Sequence, residues 1–270
     1  LSHTSSKGSL NLRLDGGKKG RSIFMQVPTL EELLEAGCHF GHQSRRWHPK
    51  MKPYIYTVRG GVHIFDLVKT QEGLKAAAEF VESLGREGKT LLMVGTKRQA
   101  KAVVAEAAKK AGCFFVSERW LGGILTNWEE IKKRLTRLAE MKQKRESGEY
   151  AKYTKKENLL IDRDIAKMER FLGGLAGMEK LPDAMFIVDT HKEIAAVREA
   201  RLKEVTLVGM VDTNADPTAM NYVIPVNDDA VRSVKLVVEI IAQTYAAGKA
   251  KADKNKKVIT EGTEYGNING

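Results

Sequence analysis

The chain has 270 residues, 42% of them hydrophobic, and a formal net charge of +11. This size and composition suit a globular protein of one or two domains and exclude a chain too small to bury its own core. Two cysteines, Cys38 and Cys113, exclude a disulfide-rich scaffold and indicate a reducing, cytosol-like compartment. No run approaches the roughly 20 apolar residues that span a bilayer. The basic excess points to a polyanionic partner, either nucleic acid or an anionic membrane surface.

Residues 1–24 are rich in Ser, Gly, Lys and Arg and contain one acid, Asp15. This composition predicts a disordered or processed extension, and it also suits a transit peptide. A signal-peptide apolar core is missing there, so we do not expect secretion. The first well-patterned segment follows Met25, which is therefore a candidate natural start. Its helix is predicted to begin after Thr29, because Glu32 completes a capping box, and to end at Gly37.

The stretch 39–56 reads HFGHQSRRWHPKMKPYIY and mixes cations with flat rings. Pro49 and Pro53 exclude a regular helix through its middle, since each lacks an N–H group and restricts the residue before it. We predict a stiff, exposed loop that binds RNA, with cations neutralising phosphates and rings stacking on splayed bases. A solvated basic loop without a ligand is the alternative. The candidate RNA-binding residues here are Arg45, Arg46, Trp47, His48, Lys50, Lys52 and Tyr54.

A zinc site is a second possibility in this region, because Cys38, His39, His42 and His48 lie close together in sequence. Their spacing matches no standard ligand set, since Cys38 and His39 are adjacent and a second cysteine pair is missing. We therefore predict no metal and interpret these histidines as packed or RNA-facing.

Short apolar strands then alternate with helices, which predicts a parallel sheet covered on both faces. A last helix, opening at Asp228 or Asp229, carries an apolar stripe at spacings of three and four from Val231 to Tyr245. The strands are predicted at 62–65, 90–94, 113–116, 185–188, 205–211 and 222–224.

The alternation breaks between residues 128 and 177. Apolar residues step by three and four from Trp128 to Leu138 and again from Ile161 to Leu175, on either side of a polar stretch. This pattern predicts an antiparallel coiled-coil hairpin that projects from the sheet domain, with two ordinary packed helices as the alternative. The predicted organisation is a globular domain of residues 25–127 and 178–247, a hairpin insertion at 128–177 and a flexible tail at 248–270.

The segment VGTKR, residues 94–98, ends a predicted strand and opens a helix, where anions bind in α/β sheets. A nucleotide-binding enzyme is therefore the rival hypothesis, although neither a Walker A loop nor G-x-G-x-x-G is present. Lys97 and Arg98 could equally bind an RNA phosphate, and Arg119 in RWLGG is a further candidate. Aspartates near the later strand ends, such as Asp216 and Asp228, fit turns and helix starts better than catalysis. We predict no catalytic residue and no cofactor.

Six segments, taken in order between residues 25 and 247, resemble the family of the bacterial-type small-subunit ribosomal protein S-two. They are EAGCHFGHQSRRWHPKMK (35–52), VGTKRQ (94–99), RWLGGILTN (119–127), LPDAMFIVD (181–189), VDTNADP (211–217) and YVIPVNDDAVRS (222–233). Cys38 and Val226 depart from the small apolar residue and the glycine usual in that family, and residues 1–24 lie outside the resemblance.

The resemblance implies a flavodoxin-like, Rossmann-like parallel sheet with a protruding coiled-coil hairpin. It implies a structural constituent of the small ribosomal subunit that is not an enzyme. Such a protein sits at the head–body junction, joins late in assembly and contacts small-subunit ribosomal RNA and neighbouring proteins. It helps to recruit ribosomal protein S-one for translation. The expected location is a cytoplasmic ribosome, with an organellar ribosome as the alternative.

Overall fold

The computed structural model describes the backbone of residues 27–264 and the side chains of residues 27–253. The predictions for residues 1–24 and for Met25 lie outside the described residues. Within the described part, none of the helices is long and apolar enough to cross a bilayer.

The described residues form seven helices and eight strands. The helices are α1 (Leu30–Glu35), α2 (Leu67–Arg86), α3 (Lys101–Ala111), α4 (Trp128–Glu146), α5 (Lys155–Leu172), α6 (Ile194–Leu202) and α7 (Val231–Glu264). The strands are β1 (Phe40–Gln43), β2 (Ile55–Arg59), β3 (Val62–Phe65), β4 (Leu91–Val94), β5 (Phe114–Val116), β6 (Ala184–Val188), β7 (Thr206–Val211) and β8 (Tyr222–Pro225).

Five parallel strands form the central sheet, in the order β5-β4-β6-β7-β8. Every residue of β4 and β6 is buried, because helices cover both faces: α2, α3 and α7 on one, α6 and the start of α4 on the other. This strand order is the flavodoxin-like one, so the predicted fold class is confirmed. In such sheets ligands bind outside the carboxyl ends of the strands where the order reverses, which here lies between β4 and β6.

A second, antiparallel sheet has the order β1-β3-β2. Only β3 is predicted by the sequence, because β1 and β2 belong to the stretch interpreted as a loop. Between them the chain makes two 3-10 turns, and Pro49 begins the second, so a regular α-helix is excluded there as expected. Buried Met51 and Phe65 attach this unit to the face of the parallel sheet that carries α6.

Helices α4 and α5 are joined by a 3-10 turn at Glu149–Lys152, and Thr154 caps α5 with a capping box. They run antiparallel, because Arg145 near the end of α4 pairs with Asp162 at 2.6 Å and Lys142 pairs with Glu169 further along α5. The paired helices agree with the predicted two-helix insertion, while its coiled-coil geometry and the domain limits stay predictions.

The chain after α5 packs directly on the edge strand β5. A Cβ at Gly174 would lie 2.1 Å from the carbonyl oxygen of Phe115, so only glycine permits this approach. The base of the α4–α5 pair is thereby fixed to the sheet edge next to the RWLGG loop.

The carboxyl-terminal segment is helical for most of its length. The sequence predicts a flexible tail from residue 248; α7 continues through this region to Glu264, and the flexibility of this segment stays a prediction. Its Lys and Ala residues are good helix formers even without an apolar stripe.

Candidate nucleic-acid interface

The three sequence segments predicted to bind RNA meet at the carboxyl edge of the parallel sheet. Lys97 and Arg98 follow β4, and Arg119 follows β5. The basic loop reaches the same edge, because the backbone N–H of His48 donates to the carbonyl oxygen of Thr213, just after β7, at 2.7 Å. The fold therefore gathers residues that are far apart in sequence onto one edge.

Most of the predicted cations at this edge have exposed side chains, so they are accessible to a polyanion. Trp47, His48 and Tyr54 are only half-buried, and the Trp47 ring packs on His63 with ring centroids 5.1 Å apart. The exposed cations are Arg45, Arg46, Lys50, Lys52, Arg98 and Arg119.

Lys50 also fixes the loop to the turn after β7. Its Nζ donates to Asp216 at 2.9 Å and to Thr218 at 3.0 Å. Burial raises the pKa of Asp216, but hydrogen bonds from Thr218 and Lys50 outweigh it and hold that pKa well below its usual range. Since Lys50 and Asp216 are both exposed, this pair contributes about 0–1 kcal/mol and leaves Lys50 accessible.

Lys97 differs from the other cations because it is only partly exposed and already paired with carboxylates. Only 14% of its side chain is exposed, and its Nζ lies 2.6–3.1 Å from carboxylates of Asp189, Asp228 and Asp229. Burial lowers the pKa of Lys97, but these carboxylates outweigh it and raise the pKa above its usual range. The prediction that Lys97 contacts RNA stays untested, and its geometry favours an internal bridge between β4, β6 and the start of α7.

Asp228 and Asp229 do not cap α7 as the sequence predicts, since no cap hydrogen bond from either side chain is found among the described residues. Asn227 instead stabilises the turn that precedes α7, since its side chain accepts hydrogen bonds from the N–H groups of Asp229 and Ala230. Asp228 instead turns inward to Lys97, and Asp189 adopts a left-handed backbone at φ 64°. Such a conformation is rare for a residue other than glycine; here the Asp189 carboxylate accepts from the Lys192 N–H at 2.9 Å. The prediction for Asp216 is confirmed, because it accepts from the Thr218 N–H at 2.9 Å.

His42 joins the acidic cluster from the other sheet. Its Nδ1 lies 2.9 Å from Asp212 Oδ1, and one donor atom each from His42, Asp212 and Asp228 lie within 4.8 Å of one another. An imidazole and two carboxylates could together hold a divalent cation. The four residues considered from the sequence, Cys38 to His48, do not form such a group among the described side chains.

Protonation within this cluster follows from burial. The pKa of Asp228 is raised to about 8, first by its burial and then by the charges of Asp212 and Asp189, against the lowering effect of Lys97. Asp212 also raises the pKa of His42 by accepting a hydrogen bond from its ring. The cluster therefore holds more protons near neutral pH than the same groups would in the unfolded chain.

A residue that the sequence analysis missed positions the RWLGG loop. The Glu199 carboxylate accepts hydrogen bonds from Trp120 Nε1 and from the N–H groups of Gly123, Leu125 and Thr126, at 2.8–3.1 Å. Burial raises its pKa, but these donors outweigh it and lower the pKa below its usual value. The sequence contains one indication of this role: Glu199 lies on the apolar stripe of α6, where a charged side chain needs internal partners.

Fold and edge together define an α/β scaffold with a cationic rim. The chain matches the model of the family "Ribosomal protein S2" over residues 33–248. It is 48% identical over 225 residues to the small ribosomal subunit protein uS2 of Petrotoga mobilis, covering 83% of this chain and 78% of that protein. It is 47% identical over 225 residues to the uS2 protein of a Picosynechococcus species, covering 83% of this chain and 88% of that protein.

The chain therefore belongs to the ribosomal protein S2 family. This confirms the resemblance seen in the sequence and makes the chain a ribosomal protein of the small subunit with a structural role in it.

Proposed function

We propose that the chain docks on small-subunit ribosomal RNA through the exposed cations at the carboxyl edge of its parallel sheet. The observation that carries this proposal is the gathering of three basic segments onto one edge, with six of their cations exposed. Cations on a fixed frame neutralise phosphates and release counterions, so binding gains affinity without a base-specific contact. Half-buried Trp47, His48 and Tyr54 would pack against the RNA surface.

The residues at the same edge of the sheet argue against the rival hypothesis, a nucleotide-binding enzyme. The crevice between β4 and β6 is where such an enzyme would bind phosphate. Here Lys97 and the carboxylates of Asp189, Asp228 and Asp229 fill it with mutually neutralising groups. A phosphate placed there would meet three carboxylates and a cation that is already paired. We therefore propose a scaffold without cofactor or catalytic residue.

Contact with other ribosomal proteins is the second part of the proposal, and it includes recruitment of ribosomal protein S-one. The antiparallel sheet exposes large apolar side chains, with Phe40 at 49%, Tyr56 at 76% and Val58 at 49% exposure. Edge strands offer unpaired backbone N–H and C=O groups to a partner strand, and β1 and β2, which carry these apolar side chains, are both edge strands. We place the protein contact on this sheet, with the molecule at the head–body junction as a late-joining component of a cytoplasmic ribosome.

Replacing Arg45 and Arg46 together with alanine is expected to lower the fraction of tagged protein that sediments with small subunits. Both side chains are exposed, so their loss removes charge and leaves the buried core in place. The measurement is the ratio of variant to wild-type protein in the small-subunit peak of a sucrose gradient, with an expected loss of about fivefold or more, equivalent to roughly 1 kcal/mol.

The matched control replaces Arg86 and Arg201 with alanine. These exposed arginines end α2 and α6, at the opposite edge of the sheet, so the charge removed is the same. Occupancy should then stay at the wild-type level. Equal losses in both double variants would show a non-specific effect of net charge, and unchanged occupancy of the first variant would remove Arg45 and Arg46 from the interface.

A further inference from the structure

A groove lies between α4 and α5 at the point where they leave the sheet domain. It encloses about 690 Å³, within the roughly 300–1,000 Å³ typical of ligand sites. Its apolar floor is made by Leu121, Met168 and Phe171. We call it the hairpin-base groove.

The rim of the hairpin-base groove is cationic. Lys133, Arg134, Arg137 and Lys167 line it, against two acids, Glu130 and Asp164. Glu130 is already shared by Lys133 at 3.6 Å and Arg134 at 3.9 Å. Among the described side chains, Arg137 and Lys167 form no ion pair, so two cations remain available for an anionic ligand.

The aromatic part of the floor is held in place before any ligand arrives. The Arg170 guanidinium lies 5.6 Å from the centroid of the Phe171 ring. Arg170 is fixed in turn by two hydrogen bonds to Glu118, at 2.9 and 3.1 Å. A ring held on one side by a cation is suited to stacking with a planar group.

The groove is continuous with the predicted RNA edge. A neighbouring depression shares Leu121, Glu130 and Arg134 with it and extends to Arg119 and Gly122. A Cβ at Gly122 would meet no atom within 4 Å, so the backbone is open to a ligand there. A strand of RNA lying on Arg119 could therefore continue into the groove.

We propose that the hairpin-base groove binds an unpaired nucleotide of the small-subunit RNA. Its base stacks on Phe171, and its flanking phosphates are neutralised by Arg137 and Lys167. This combination of a flat apolar floor and unpaired cations is the one that single-stranded nucleic acid requires. The inference rests on the proposed RNA-binding function and adds the kind of RNA element that this part of the surface recognises.

The test compares two single-stranded RNA probes, an unmodified oligonucleotide and one of equal length with abasic sugars, on the full chain. Phe171→Leu keeps the apolar packing and removes the ring, so affinity for the unmodified probe should fall about 10-fold, within the range of one stacked base. Its affinity for the abasic probe should not change. Lys167→Ala should lower the affinity for both probes. The control is Lys132→Ala, on α4 but outside this groove, which should lower the affinity for either probe by less than Lys167→Ala does.

Three outcomes would overturn the inference. They are unchanged binding by Phe171→Leu, equal losses for both probes, and tighter binding of a Glu- and Phe-rich peptide that the oligonucleotide cannot displace. If one of these outcomes is found while RNA binding still depends on Arg45 and Arg46, the hairpin-base groove does not bind the nucleotide but the proposed RNA-binding function stands. If the wild-type chain binds neither probe nor small-subunit RNA, the proposed function fails as well.

Discussion

Lys97→Met is expected to destabilise the protein by about 3–5 kcal/mol, the usual cost of leaving a buried charge without its partner, because Asp189 and Asp228 are buried. The substitution keeps the length of the side chain but leaves Asp189, Asp228 and Asp229 without the cation that lies 2.6–3.1 Å from them. The free energy of unfolding, measured with urea at pH 7, checks this value.

The loss in Lys97→Met should depend on pH. The pKa of Asp228 is raised to about 8 even with Lys97 present, so the folded chain binds this proton more tightly than the unfolded chain does. Stability from this group is therefore lost as pH rises from about 4 towards 8. Without Lys97 the repulsion grows, so the variant should lose more stability than the wild type over that interval and recover part of it at pH 5.

The control for Lys97→Met is Lys101→Met, which breaks a partly exposed pair with Glu118 at 3.0 Å and should cost about 0–1 kcal/mol. The comparison also decides the role of Lys97. A variant with wild-type stability and weakened RNA binding would show that Lys97 is a phosphate contact, contrary to the internal bridge that we infer.

Glu199→Gln is expected to cost about 3 kcal/mol and to loosen the RWLGG loop. The amide is nearly the same size as the carboxylate but replaces one acceptor oxygen with a donor. That donor would face N–H groups such as those of Leu125 and Thr126, which now donate at 3.0 and 3.1 Å. Buried donors left without an acceptor cost about 1–3 kcal/mol each. Urea unfolding measures the loss, and RNA affinity reports the displacement of Arg119.

The pH profile separates Glu199 from an ordinary surface acid. Its pKa is lowered in the folded chain, so its stabilisation is present above the unfolded value near 4.3 and is lost as pH falls through the lower folded value. Glu199→Gln should abolish this acid-side loss. Glu106→Gln, an exposed position on α3, should change stability by no more than about 0.5 kcal/mol; a similar small effect at Glu199 would contradict the anchoring role.

The parallel sheet was predictable because its strands are buried on both faces. Runs such as those of β6 and β7 are almost continuously apolar, and the stripe from Val231 to Tyr245 follows the helical period. Strands β1 and β2 were not predictable on this basis. They are short and largely exposed, and their pairing with β3 includes irregular registers, so neither shows a clean alternation.

The candidate site was predictable only in part, because some of its residues are neighbours in sequence and others are brought together only by the fold. Four of the exposed cations, Arg45, Arg46, Lys50 and Lys52, lie within eight consecutive positions, so this basic cluster is visible without a structure. The acidic cluster is not visible from the sequence, because Asp189, Asp212 and Asp228 each follow a different strand. Only the parallel topology, which brings the carboxyl ends of strands to one edge, shows that Asp189 and Asp228 meet at Lys97 and that this cation is not free.

The most direct test of the central claim is the salt dependence of binding to small-subunit ribosomal RNA. We predict that the logarithm of the affinity falls linearly with the logarithm of salt concentration, with a slope of roughly −0.7 to −0.9 per phosphate contacted. Arg45→Ala/Arg46→Ala should make the slope shallower by about 1–2, while Arg86→Ala/Arg201→Ala leaves it unchanged. A slope near zero, or the same change in both double variants, would contradict docking through the carboxyl edge.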